Sequence, residues 1–145
     1  MPHIKKEKTV PYSTIQMYEL VNDIDAYADF VDFCIASQAT SRQHNVVEGK
    51  LTFRLGKLEK TFSTLNHCEP YEKIILSLLD GPFKSLSGFW HFTPTPSGGC
   101  RIMLDLSFEF STPMLALLLN PIFEKIAGSL VSSFVQRAED RYAHH

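Results

Sequence analysis

The side chains able to do covalent or metal chemistry are Cys34, Cys68 and Cys100, together with His3, His44, His67, His91, His144 and His145. A catalytic thiolate needs an imidazole within hydrogen-bond reach, and a metal needs ligands at matched spacing. Neither pattern occurs: there is no CxxC and no HExxH, and the histidines have no ligand spacing. His67 and Cys68 are adjacent, so on a strand they point to opposite faces and form no dyad. Asp105 and Glu109 share one strand face, but it is the polar face, which makes them a solvated pair rather than an acid and a base. A Gly-rich phosphate loop and a GxSxG turn are also missing. The expectation is a protein with no catalytic residue, no metal site and no required cofactor, hence not an enzyme. Three widely spaced cysteines fit free thiols better than a disulfide framework.

What the chain has in excess is apolar surface: 44% of its 145 residues are hydrophobic and 11 are Phe. That composition excludes a disordered chain and predicts one domain, residues 1–145, around one core. A net charge of −2 gives no global field for nucleic acid, so no DNA partner is expected. No run of about 18 apolar residues is present, which predicts no membrane-spanning helix. The opening Met1-Pro-His-Ile-Lys-Lys-Glu-Lys8 has no apolar signal region. A cytoplasmic protein follows, with peripheral contact on the inner face of a membrane as its nearest approach to lipid.

The elements that must position these surfaces follow from periodicity. Ile4 to Val10 alternates loosely as a strand, and Pro11 ends it. Ser13 and Gln16 form a capping-box pair ahead of Ile15, Met17, Leu20 and Val21 at helical spacing. Asp23 or Asp25 is expected to cap a second short helix bearing Tyr27, Phe30 and Val31. From about Ile35 to Phe110 the period is two, punctuated by Gly56, Asp80-Gly81-Pro82 and Pro94 to Gly99. Thr112-Pro113 starts a helix, and Asn120-Pro121 predicts a break in it. Beyond the break, Ile122, Phe123, Ile126, Ala127, Leu130, Phe134 and Ala138 make one stripe. A one-sided helix and a one-sided antiparallel sheet must bury against each other. The fold class is therefore α+β, a helix-grip: a curved antiparallel sheet around a long C-terminal helix, with two short helices after the first strand.

A curved sheet gripping one helix encloses volume. The walls of that volume are expected from Phe53, Phe62, Leu76, Leu78, Trp90, Phe92, Leu106 and Phe108, closed by Ile126, Leu130 and Phe134. Thr64 and Asn66, on the face of Phe62, would supply polar anchors, as ligand pockets require. Met114, Leu115, Leu117, Leu118 and Leu119 form a turn that is apolar all round between two prolines. They are expected to form a semi-independent flap at the cavity mouth, able to dip into a lipid interface. Lys50, Arg54, Lys57 and Lys60 cluster on one presumed hairpin as a candidate phosphate or RNA patch. Glu19, Asp23, Asp25, Asp29 and Asp32 form an acidic stretch with no basic residue inside it.

Several segments carry a resemblance. Val10-Pro-Tyr-Ser13, Met17-Tyr-Glu-Leu-Val-Asn-Asp23, Asp80-Gly-Pro-Phe-Lys84, Gly88-Phe-Trp-His-Phe-Thr-Pro94, Cys100-Arg-Ile102 and Phe108-Glu-Phe110 resemble the RatA and coenzyme Q-binding START-domain family, from about residue 3 to residue 142. The chain departs from that family at Tyr27-Ala-Asp-Phe-Val-Asp-Phe-Cys34, which lacks two prolines and predicts a looser connection. The resemblance implies a START-like helix-grip with a lipid-accommodating cavity and no catalytic residues. It implies one of two functions: binding of ubiquinone or a similar prenyl lipid in support of respiration, or association with the large ribosomal subunit as a translation-blocking toxin.

Overall fold

The computed structural model describes residues 2–143; Met1, His144 and His145 lie outside the described residues. Strand β1 (His3–Val10) leads into α1 (Thr14–Asn22), a 3-10 turn (Ile24–Ala26) and α2 (Tyr27–Phe30). Six further strands follow: β2 (Cys34–Gln43), β3 (Val46–Leu55), β4 (Leu58–Glu69), β5 (Lys73–Asp80), β6 (Phe83–Pro94) and β7 (Cys100–Phe110). Helix α3 (Pro113–Tyr142) ends the chain. The strands form one antiparallel sheet in the order β1-β7-β6-β5-β4-β3-β2. Short turns join the meander from β2 to β7, and β1 extends it by pairing with β7, Ile4 opposite Leu106. This is the expected helix-grip: a curved antiparallel sheet around a long C-terminal helix, with two short helices after the first strand.

Local chemistry explains the starts of the elements. The Ser13 hydroxyl accepts from the Gln16 N–H at 3.1 Å, and the Gln16 side chain accepts from the Ser13 N–H at 2.9 Å, completing the capping box. Thr112 caps α3 in the same way, accepting from the Leu115 N–H at 3.1 Å, with Pro113 in the first turn. The expected aspartate cap of the second helix is not formed. Asp23 occupies the N-cap of the 3-10 turn without a side-chain bond, and Asp25 instead accepts from the Ala39 N–H of β2 at 2.8 Å. The proline-free connection is pinned rather than loose. Val31 N–H donates to Tyr27 O at 2.8 Å, Cys34 N–H to Val31 O at 3.1 Å, and Arg54 N–H to Phe33 O at 2.8 Å.

Two expectations about α3 are corrected. It does not break at Asn120 but runs unbroken through Pro121. Proline removes one bond, the one the Leu117 carbonyl would accept, and Leu117 is the most exposed large apolar residue of this turn, at 83%. Water can satisfy that carbonyl, so the helix continues. In addition, α3 is long and apolar enough over 18 residues to cross a membrane by length and composition, although no such segment was expected. Here it lies in the grip of the sheet, with Phe123, Ile126, Ala127, Phe134 and Ala138 buried. Only 28% of that apolar window is buried, so it is apolar on its exposed side as well.

Strands β6 and β7 approach unusually closely at Gly88, which faces Leu106 across the ladder. A Cβ there would sit 2.1 Å from the Asp105 carbonyl oxygen and 2.9 Å from Leu106 Cα. Both obstacles are backbone and cannot swing aside. Gly88→Ala is expected to cost about 2–3 kcal/mol, the upper range for overpacking, read as a lower urea midpoint at unchanged m-value.

Candidate functional site

Between the sheet and α3 lies a cavity of about 70 Å³. Helix α3 supplies Phe123, Ile126, Ala127 and Leu130. The sheet supplies Gly49, Leu51 and Phe53 from β3, Phe62, Thr64 and Asn66 from β4, Ile74 and Leu76 from β5, Leu86 and Trp90 from β6, and Leu104 and Leu106 from β7. Val21, Ile24 and Tyr27 close one end. A second chamber of about 40 Å³ adjoins it and shares Phe53, Phe62, Phe123 and Ile126. Its remaining lining includes Leu55, Leu58, Lys60, Phe83, Leu119 and Ile122.

Of the expected wall, Phe53, Phe62, Leu76, Trp90, Leu106, Ile126 and Leu130 face the cavity, and Leu78, Phe92, Phe108 and Phe134 do not. Phe92 shares the inward face of β6 with Trp90 but lies one pleat further on, under α1, where Tyr18 packs edge-on at 5.7 Å. Phe108 is taken up by an aromatic cluster with Phe123 at 4.6 Å and Phe110 at 5.9 Å. Phe134 backs the wall instead of forming it, edge-on to Trp90 at 5.3 Å and to Tyr27 at 5.1 Å. Leu78 is half-buried opposite Thr64, beside the irregular register between β4 and β5. Sequence reasoning missed the contribution of the first helices. Val21 of α1, Ile24 of the 3-10 turn and Tyr27 of α2 recur every third residue, and that spacing was a readable signal. Gly49 was missed too: a Cβ there would meet Ile24 Cδ1 at 2.8 Å, so its absence lets Ile24 seat against the strand.

Thr64, Asn66 and Tyr27, together with the indole N–H of Trp90, are the polar groups carried by lining side chains; among the described residues no charged one borders the larger cavity. The Thr64 hydroxyl donates to Asn66 Oδ1 at 2.7 Å, and the Tyr27 hydroxyl donates to the Val21 carbonyl. Burial drives the Tyr27 phenol well above its ordinary range, and neighbouring Cys34 and Asp23 push the same way, so it stays neutral. Asp105 on the outer face holds His3 at 2.7 Å.

The expected flap is part of the continuous helix. Leu119 is buried and Leu115 half-buried, whereas Met114, Leu117 and Leu118 are exposed, at 79%, 83% and 57%. The four basic residues do not form one patch. Lys50 and Arg54 share the outer face of β3, but Arg54 pairs with Glu59 at 3.2 Å. Lys57 occupies the β3–β4 turn. Lys60 stands opposite inward-facing Phe53 and borders the second chamber.

An apolar cavity between a curled antiparallel sheet and one long helix, lined by a few neutral polar groups, is the architecture of a small helix-grip protein. Residues 10–135 match the family described as polyketide cyclase / dehydrase and lipid transport, and the chain belongs to that family. It is 36% identical to the ribosome association toxin RatA of Escherichia coli K12, over 99% of this chain and 90% of that protein. It is 22% identical to the mitochondrial coenzyme Q-binding protein coq10 of Schizosaccharomyces pombe, over 95% of this chain and 87% of that protein. Among solved structures, the ZhuI aromatase/cyclase of Streptomyces sp. R1128 superposes with a TM-score of 0.85, at 16% identity over 98% of this chain and 97% of that one. The names of these two sequence relatives state an association and a binding, and the cyclase shares the fold.

The three cysteines are free and buried. Burial pushes the thiols of Cys34 and Cys100 up to about 11 and also raises Cys68. A thiol whose pKa is higher folded than unfolded keeps its proton longer in the native state. Its stabilising effect is intact below an ordinary thiol pKa of 9.0 and is lost as pH rises through about 11. Urea midpoints are expected to hold up to about pH 8 and to fall steadily from about pH 9 to 11. A midpoint that stays flat across that window would contradict the thiol burial.

Proposed function

We propose that this chain is a non-enzymatic binding module that holds a neutral isoprenoid lipid, ubiquinone or a close prenyl relative, in the cavity under α3. The observation that carries the reading is the lining itself: apolar side chains, a few neutral polar groups and, among the described residues, no charged one. Such a wall offers no acid, base or nucleophile, but it rewards each buried ligand CH₂ with about 0.8 kcal/mol. A named coenzyme Q-binding relative supports the same direction. The space is narrow, so a prenyl chain would have to join the two chambers by turning the Phe62 and Phe123 rings that border both. The exposed Met114, Leu117 and Leu118 lie on the turns of α3 whose inner side closes the second chamber through Leu119 and Ile122. We read them as the peripheral contact with a lipid surface from which the ligand is loaded, on a protein that otherwise works in the cytoplasm.

Mass spectrometry of an organic extract of natively purified protein tests this. A prenyl quinone is expected in the extract, and Leu117→Ser/Leu118→Ser should lower both its content and liposome binding several-fold. An extract free of prenyl lipid, with no uptake from quinone-loaded vesicles, would overturn the reading.

A second reading is favoured by one observation, the 36% identity to a ribosome association toxin along nearly the whole chain. Under it, the exposed Lys50 and Lys57 contact phosphates of the large ribosomal subunit, Arg54 being already paired. Co-sedimentation with large subunits should then weaken steeply with salt and drop several-fold in Lys50→Glu/Lys57→Glu. Sedimentation unchanged by both would rule out a charge-driven contact through these lysines.

A further inference from the structure

Asn66 is the anomaly of the cavity. It sits on β4 between Val47 of β3 and Leu76 of β5, retains only 7% of its exposure, and faces apolar rings and methyls. An amide buried without its hydrogen bonds costs about 1–3 kcal/mol, so its presence calls for a compensating partner. Its oxygen has one, the Thr64 hydroxyl at 2.7 Å. Its Nδ2 donates to nothing among the described residues. That nitrogen is also not sealed inside protein as Ser85 Oγ, Asn120 Oδ1 and Arg137 Nε are. Asn66 is a lining residue of the cavity. Thr64 has a clear job: by donating to Oδ1 it fixes which end of the amide is which and leaves the N–H pair directed away from the hydroxyl.

We infer that Asn66 Nδ2 is the specificity donor of the cavity, placed to bind an acceptor oxygen of a neutral ligand, a carbonyl or ether oxygen on an otherwise apolar body. A pure hydrocarbon leaves the amide unpaired. A carboxylate would find an acceptor-compatible N–H but no Lys or Arg on the wall to neutralise it. The inference deepens the binding reading and rests on it.

The test uses a matched pair of probes, 2-octanone and 2-methyl-1-octene, which differ by C=O against C=CH₂. Binding is measured by headspace partitioning, with thermal unfolding as the check on folding. Asn66→Leu is expected to weaken the ketone about three- to tenfold, the span of one net hydrogen bond, while the alkene stays within about twofold. Ketone and alkene changing by the same factor would overturn the donor role, since a merely structural Asn66 would shift both. Should Asn66→Leu fail to fold, Thr64→Val carries the test. It leaves the amide in place without its orienting hydroxyl, and should weaken the ketone selectively; equal effects on the two probes would again overturn the inference. If neither probe binds the folded parent protein, the cavity is not an apolar binding site and both readings fall together.

Discussion

One helix cannot cover the inner face of a seven-stranded sheet that curls around it. Helix α3 presents a stripe of side chains to strands from β3 to β7, and the stripe is narrower than the face it meets. Where contact is achieved it is dense and aromatic. Phe123 is within 4.6 to 5.9 Å of Phe108, Phe83, Phe62 and Phe110, and Phe134 is within 5.1 to 5.3 Å of Tyr27, Phe30 and Trp90. Between these two clusters, Ile126, Ala127 and Leu130 leave the gap that becomes the cavity. The void is therefore set by two aromatic supports and small or aliphatic residues between them. It is a product of the span, not of a missing side chain.

That geometry explains why buried polarity is tolerated where it is. A cavity wall does not bring a partner atom to every polar group, so a lone amide there would be destabilising in a solid core. The Thr64–Asn66 pair lowers that cost by satisfying its own oxygen within one strand, two residues apart on the same face. Tyr27 does the same through the Val21 carbonyl. The polar groups of the wall are thus mostly satisfied locally, and the cavity keeps its neutral character with no ion pair inside it.

Much of this was legible in the residues. Strict alternation from Ile102 to Phe110 defines both faces of β7, and all five inward residues are buried as the pattern requires. The Ser13–Gln16 box is a local device whose geometry depends on nothing distant, so it was readable as well. Legibility failed where the outcome depends on position along the grip rather than on facing. Trp90 and Phe92 have the same parity, yet one borders a void and the other is roofed by Tyr18, because α1 covers only one end of β6. Periodicity gives the face of a residue but not what stands opposite it. The hairpin charges failed similarly: Lys60 has the parity of Phe53 and borders the second chamber while staying exposed, which follows only once the Phe53–Lys60 register is known.

The continuity of α3 through Pro121 has a mechanical consequence. A break there would have uncoupled the exposed Met114, Leu117 and Leu118 from the cavity. As one helix, the same rigid body bears these residues outside and Leu119, Ile122, Phe123 and Ile126 inside. Phe123 and Ile126 border both chambers, and the Phe62 ring that separates them packs on Phe53 at 5.9 Å and on Phe123 at 5.9 Å. A surface that engages the outer turn must move the inner one with it, since backbone hydrogen bonds on either side of the proline hold the helix as a unit. Displacement at the exposed end would thus be transmitted to the aromatic partition between the chambers. A proline that deletes a single solvent-facing bond preserves that coupling, and a flexible flap would have lost it.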